Sequence, residues 1–130
     1  MAARANQNFA KRGDHNGARY DYPVAAGVRI FSRAIVAVTA SLKAVPAGHT
    51  DAEAVIGLAN GHADARTTSG LRVEVEKGCF LVPLPSAGAA DIGKAVYAVD
   101  DNTLSLDPTG NRLKAGFIEA IDEEGVWVRL

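Results

Sequence analysis

The chain has 130 residues, 48% of them hydrophobic and 22% charged, with a formal net charge of −1. That length fits one domain, with enough core to stand without disulfide or metal staples. The near-neutral balance supplies no global field for nucleic acid or an anionic membrane. No stretch reaches the roughly 20 apolar residues of a spanning helix. The first eight residues carry no apolar signal-peptide core, so synthesis and retention in the cytoplasm are expected unless a larger assembly carries the protein out.

Residues 1–22 are polar and rich in Asn, Gly and Arg, and are expected to form an extended N-terminal arm. Such a stretch buries too little apolar surface to offset its ordering entropy. Fully extended it would reach roughly 70 Å at about 3.3 Å per residue. Lys11, Arg12 and Arg19 make it locally basic, and Phe9, Tyr20 and Tyr22 are interleaved with them. Asp14 and Asp21 dilute that charge, which favours an acidic protein surface over nucleic acid as its partner.

From residue 23 to residue 130 the pattern predicts a β-rich domain, because 13 glycines and 5 prolines punctuate the chain at the spacing of short strands and turns. Ile35-Val36-Ala37-Val38 and Leu42-Lys43-Ala44-Val45 predict a hairpin around Thr39-Ala40-Ser41. A further strand over 54–59 ends at the turn pair Asn60-Gly61. Residues 71–76 alternate, with Leu71, Val73 and Val75 on one face and charged residues on the other. Gly78 breaks or bulges that strand before the apolar run Cys79-Phe80-Leu81-Val82. Cys79, the single cysteine, is expected to be a buried thiol.

A short helical turn is predicted over 89–92, followed by a strand over 95–99 and a shorter one over 103–106 between turn residues. The chain closes with a hairpin, 114–121 and 126–130, around Asp122-Glu123-Glu124-Gly125. The fold class expected is therefore all-β, a small β-barrel or sandwich of short strands with one helical turn and the N-terminal arm.

Gly88 to Ala95 nearly matches a phosphate-binding loop, whose backbone amides cradle phosphates while a lysine neutralises them. Ala95 stands where Ser or Thr should hold magnesium, and a strand rather than a long helix follows. A turn with a solvated lysine, Lys94, is the stronger expectation. His15, His49 and His62 lie in separate loops without metal-ligand spacing, and no nucleophile elbow or ordered Ser/His/Asp set occurs. Asp100-Asp101 and Glu123-Glu124 read as solvated turn charges. No catalytic residue, metal site or cofactor is expected.

If Val126, Val128 and Leu130 face the core, Trp127 and Arg129 face outward. An exposed Trp beside Arg has the composition of an interface hot spot, so both are expected at an oligomer interface. The competing expectation is that both faces of this strand are buried within the monomer.

The block from Asp91 to Thr103, Asp-Ile-Gly-Lys-Ala-Val-Tyr-Ala-Val-Asp-Asp-Asn-Thr, resembles the GK-x-x-Y-x-x-D-D segment of tailed-bacteriophage capsid cement (head decoration) proteins. Ala115-Gly116-Phe117-Ile118 with Asp122 to Arg129 resembles the same family's final hairpin. The segments 23–28, 55–59 and 78–80 follow the family's order, so the resemblance runs from about residue 23 to the end. It implies a small β-barrel or sandwich placed on the capsid exterior, commonly as a trimer and sometimes as a dimer. The implied partners are the major capsid protein and further copies of the chain, a homotrimer before a dimer, with no nucleic acid and no membrane. The implied location is the virion exterior, after synthesis in the bacterial host cytoplasm. On this reading Phe9, Lys11, Arg12, Arg19, Tyr20 and Tyr22 contact the capsid through the arm, and the function is structural, not enzymatic. The arm is longer and more polar than the family's front end. A small β-barrel module for a ligand or host glycan is the alternative; an aromatic content of 6% gives it little to line a pocket with. A nucleotide hydrolase using Lys94 ranks third.

Overall fold

A computed structural model describes residues 2–7 and 19–130. Nearly all of the regular structure is β. The strands are β1 (Arg19–Pro23), β2 (Arg29–Ile30), β3 (Ile35–Val38), β4 (Ala44–Pro46), β5 (Ala54–Ala59) and β6 (Ala63–Asp64). They continue with β7 (Arg72–Glu76), β8 (Cys79–Val82), β9 (Ala95–Ala98), β10 (Leu104–Ser105), β11 (Leu113–Asp122) and β12 (Gly125–Arg129). One 3₁₀ turn, Ala89–Asp91, sits before β9, as the Gly/Ala-rich stretch there predicts.

The strands form two open five-stranded antiparallel sheets, ordered β1-β7-β5-β3-β4 and β10-β9-β11-β12-β8, with a two-stranded ribbon β2-β6. Among the described residues neither sheet is a closed barrel, although Val24, directly after β1, makes one parallel bridge to Ala44 of the far edge strand β4. Gly78 ends the alternating run of β7, and β8 then pairs with β12 in the other sheet. It thus marks a crossing between sheets, where the sequence pattern predicted a break or bulge.

Two hydrophobic clusters explain why the first sheet reads as continuous apolar runs. One cluster joins Ile35 and Leu58 to Phe80, Val96, Ile118 and Val128 of the second sheet. The other packs Val36, Val38, Ile56, Val73 and Val75 against Ile30 and Ala63 of the ribbon. Strand β3 is buried along its whole length because it contributes side chains to both. Strand β5 serves both clusters through a bulge, in which Ile56 is the extra residue between the pairs Val36–Gly57 and Ala37–Val55. Gly57 lies at φ +145°, and a Cβ there would come within 2.5 Å of the Glu76 carbonyl oxygen. Only glycine fits that approach.

The N-terminal arm is shorter at its inner end than the composition predicts. Residues 19–23 pair with 72–76 as β1, in the register Arg19–Glu76 to Pro23–Arg72. The β-body therefore begins at residue 19 rather than residue 23. Residues 2–7 also lie on the body. The Ala3 N–H donates to Asp101 Oδ1 at 2.6 Å, the Gln7 N–H to the Ser32 carbonyl at 2.5 Å, and Asn6 Oδ1 accepts the Ser32 N–H at 3.0 Å. Ala3 packs with Phe31 and Ala34. Among the described residues, Ala3 and these three hydrogen bonds seat a segment whose polarity alone reads as unstructured.

Candidate functional site

Of the six arm residues expected to contact a partner, Phe9, Lys11 and Arg12 lie outside the described residues. Arg19, Tyr20 and Tyr22 are carried on β1, an edge strand of the first sheet. Tyr20 is 45% exposed, whereas Tyr22 is half-buried against the ribbon cluster. Arg19 is not a free charge: its guanidinium lies 3.4 Å from Glu76 and 3.7 Å from Glu74.

Glu76 is buried, although the alternation of 71–76 predicts it on the charged, outward face. Arg33 explains the difference. Its Nη1 lies 3.2 Å from Glu76 Oε1, and its guanidinium sits over the Phe80 ring at 5.3 Å. Arg33 occupies the left-handed region at φ 67°, which is unusual for a residue with a Cβ. A buried carboxylate requires such compensation. Nothing in the pattern Phe31-Ser32-Arg33-Ala34 signals it.

Strand β12 keeps the expected facing: Val126, Val128 and Leu130 enter the inter-sheet cluster. The expectation that Trp127 is exposed is corrected, since its side chain on the opposite face is only 5% exposed. Trp127 stands across from Leu81 and Ala120, and its Nε1–H donates to both oxygens of Asp122 at 3.0 and 3.1 Å. Arg129 is half-buried and holds Glu119 through Nε and Nη2 at 2.9 and 2.7 Å. The large apolar side chain this sheet does expose is Phe117, at 40%, and Ile92, in the turn before β9, is 48% exposed. The turn is tied to β11 beside Phe117, where the Gly93 N–H donates to the Ile118 carbonyl at 2.8 Å.

The near-phosphate loop closes on its own carboxylate. Asp91 Oδ2 accepts the Gly88 N–H at 2.9 Å and Oδ1 accepts from Lys94 Nζ at 3.1 Å. The Gly88 amide, then Lys94, hold the Asp91 carboxyl below its ordinary range. An incoming phosphate would have to displace Asp91 from both donors.

The acidic pair 100–101 is not a pair of solvated turn charges. Asp101 is buried, its carboxylate accepts from Ala3, and its carbonyl accepts the Ile35 N–H at 2.7 Å. Burial pushes its carboxyl above the ordinary range, the neighbouring Asp100 charge adds to this, and the Ala3 amide opposes it. Glu123 and Glu124 do lie exposed in the β11–β12 turn.

His15 lies outside the described residues, and the other two histidines are not brought together. His49 Nδ1 accepts the Asp51 N–H at 3.1 Å, beside a cleft of about 330 Å³ that also holds Arg112. His62 joins Arg4, Asn6, Arg29 and Phe31 around a second cleft of about 400 Å³. Among the described residues no three His, Cys, Asp or Glu side chains gather as a metal site. No helix of the described residues is long and apolar enough to cross a membrane.

Comparison of the chain with protein-family models, with curated proteins and with solved structures returns no match.

Proposed function

We propose that this chain is a capsid decoration protein of a tailed bacteriophage, a non-enzymatic cement bound to the head exterior as a homotrimer. The observation that carries the reading is the order of the segments resembling that family, from residue 23 to the end. Its two richest segments, 91–103 and 115–129, also lie side by side, through β9, β11 and β12 of one sheet. Phe117 on that sheet and Ile92 in the turn before β9 are exposed apolar side chains of the kind that become buried between subunits.

Cementing is binding rather than catalysis. A head under internal DNA pressure fails where neighbouring subunits part, and a body that bridges them adds interactions that must break before they can separate. A trimer engaging several sites holds firmly through individually weak contacts. In this reading the capsid is met by Arg19 and Tyr20 at the exposed edge β1, with Phe9, Lys11 and Arg12 in the segment before it. Tyr22 supports the edge from inside. Trp127 and Arg129 act by fixing the shape of the sheet that carries Phe117.

Quantitative mass spectrometry of purified virions of the source phage, counting this chain against the major capsid protein, tests the reading. A copy number comparable with the capsid protein is expected. Absence, or a handful of copies per particle, overturns it.

A further inference from the structure

The described arginines divide into two groups. Arg19, Arg33, Arg66, Arg72 and Arg129 each hold a carboxylate, and Arg112 donates to the Asp107 carbonyl. Arg4 and Arg29 hold no carboxylate among the described residues, and both line the same cleft of about 400 Å³.

The cleft is put together from three parts of the chain. Strand β2 supplies Arg29, and Phe31 follows directly after it. The residue before β6 supplies His62, since Ile30 pairs with Ala63. The docked segment 2–7 brings Arg4 and Asn6 over the top, held on either side by the Ala3–Asp101 and Gln7–Ser32 hydrogen bonds.

Within it the Arg29 guanidinium is fixed in two ways. Its Cζ lies 4.4 Å over the Phe31 ring, and its Nε–H donates to His62 Nε2 at 2.9 Å. Phe31 and His62 pack with ring centroids 5.8 Å apart. One of five guanidinium N–H groups is thereby used and, among the described residues, four remain, on an edge whose plane the ring has set.

Among the described residues, the carboxylate across from Arg29 is already engaged. Asp64 stands across from Arg29 in the ribbon, but Arg66 takes both its oxygens at 2.9 and 2.8 Å. The Arg66 side chain and amide hold the Asp64 carboxyl well below its ordinary range, with the Arg29 charge a smaller cause. Arg66 and Asp64 cancel, which leaves the cleft with the two positive charges of Arg4 and Arg29.

We propose that this cleft is an oxyanion-binding site, taking a carboxylate or phosphate group on the free edge of Arg29 with Arg4 as the second cation. A stacked guanidinium with a free edge is pre-organised for two-point binding of either group. The proposal does not rest on the capsid reading, and the site would serve equally for an acidic side chain of a partner or for a small anionic ligand.

The test is a two-dimensional ¹⁵N NMR titration of the full chain with sodium glutarate, with sodium phosphate, and with sodium chloride at matched ionic strength. Saturable shifts of the Asn6, Phe31 and Ala63 amides and of the Arg29 Nε–H resonance are expected with one or both oxyanions and not with chloride. The tighter of the two identifies the source of the group. Arg29→Gln should weaken binding by about tenfold or more, the loss of charge-assisted hydrogen bonds. Arg29→Lys keeps the charge but loses the fork, and should also weaken it several-fold. Arg4→Gln, on an exposed side chain, tests the second cation without touching the ribbon. Non-saturable shifts, equal shifts with chloride, or unchanged affinity in both Arg29→Gln and Arg4→Gln would overturn the proposal.

Discussion

Gly116 sits inside β11, and a side chain there has nowhere to go. A Cβ at this position would overlap the carbonyl oxygen of Arg129 and lie 2.9 Å from its carbonyl carbon and 3.2 Å from Leu130 Cα. All three are backbone atoms of the neighbouring strand or its end, so no rotamer change relieves the contact. Carbon atoms rest at about 3.5 Å or more from one another, so β11 and β12 must move apart. Those strands carry Ile118 and Val128 into the core, both fully buried and paired with each other. Overpacking of this kind costs about 3 kcal/mol at the upper end of its usual range. Loosening one ladder hydrogen bond adds about 1 kcal/mol. Gly116→Ala is therefore expected to lose about 4 kcal/mol, and at about 4 °C per kcal/mol the Tm should fall by about 15 °C.

Thermal unfolding followed by circular dichroism measures this directly. Gly88→Ala is the control, because a Cβ at Gly88 meets nothing within 4 Å and its φ of −132° suits any residue. Its Tm should stay within about 2 °C of the parent, as for surface substitutions generally. A Gly116→Ala variant as stable as the Gly88→Ala variant would refute the close approach of β11 to Arg129, and with it the register of the final hairpin.

Three further outcomes follow from buried polar groups. Glu76→Gln leaves Arg33 facing a neutral partner and should cost about 3 kcal/mol in urea unfolding, the range for breaking a buried pair; a loss below about 0.5 kcal/mol would place Glu76 in solvent. Asp101 has its carboxyl raised in the folded state, so its ionisation penalises folding as pH rises from the ordinary carboxylate range through the raised value. Asp101→Asn keeps an acceptor for Ala3 and removes that penalty; its stability relative to the parent should rise as pH rises from the ordinary carboxylate range, and a difference independent of pH would contradict the burial. Trp127 is the single tryptophan, so its fluorescence reports one site. Blue-shifted emission with weak acrylamide quenching is expected of the folded monomer, whereas free quenching would restore the exposed interface position expected from alternation.

Local patterns carry the strands, because a strand's two-residue period is written in adjacent residues. The hairpin β3–β4, the 3₁₀ turn, and the closing hairpin β11–β12 all follow from apolar runs between turn residues. Pairing between distant strands is not legible in the same way. Nothing near Gly78 says that β8 joins β12 rather than folding back on β7, since that choice depends on which sheet offers Phe80 an apolar neighbour. Gly116 reads in sequence as one small residue within an apolar strand, and only the neighbouring backbone gives it a role.

Charged residues depart from their local pattern for one recurring reason. Turn position and alternation assign Asp101 and Glu76 to solvent, yet both are buried because a group far along the chain compensates them. For Asp101 that group is the Ala3 amide, 98 residues away; for Glu76 it is Arg33, 43 residues away. The same non-local step assembles the oxyanion cleft. Arg4, Arg29 and His62 share no motif, and they meet because Ser32 holds residues 6 and 7 while the β2–β6 register brings residue 62 beside residue 31. A segment polar enough to read as a free arm thus places one of the cleft's two cations. Removing residues 2–7 should weaken oxyanion binding at least as much as Arg4→Gln does, while Trp127, on the other sheet, keeps its buried emission. If binding and buried emission disappear together, the segment supports the whole fold rather than the cleft.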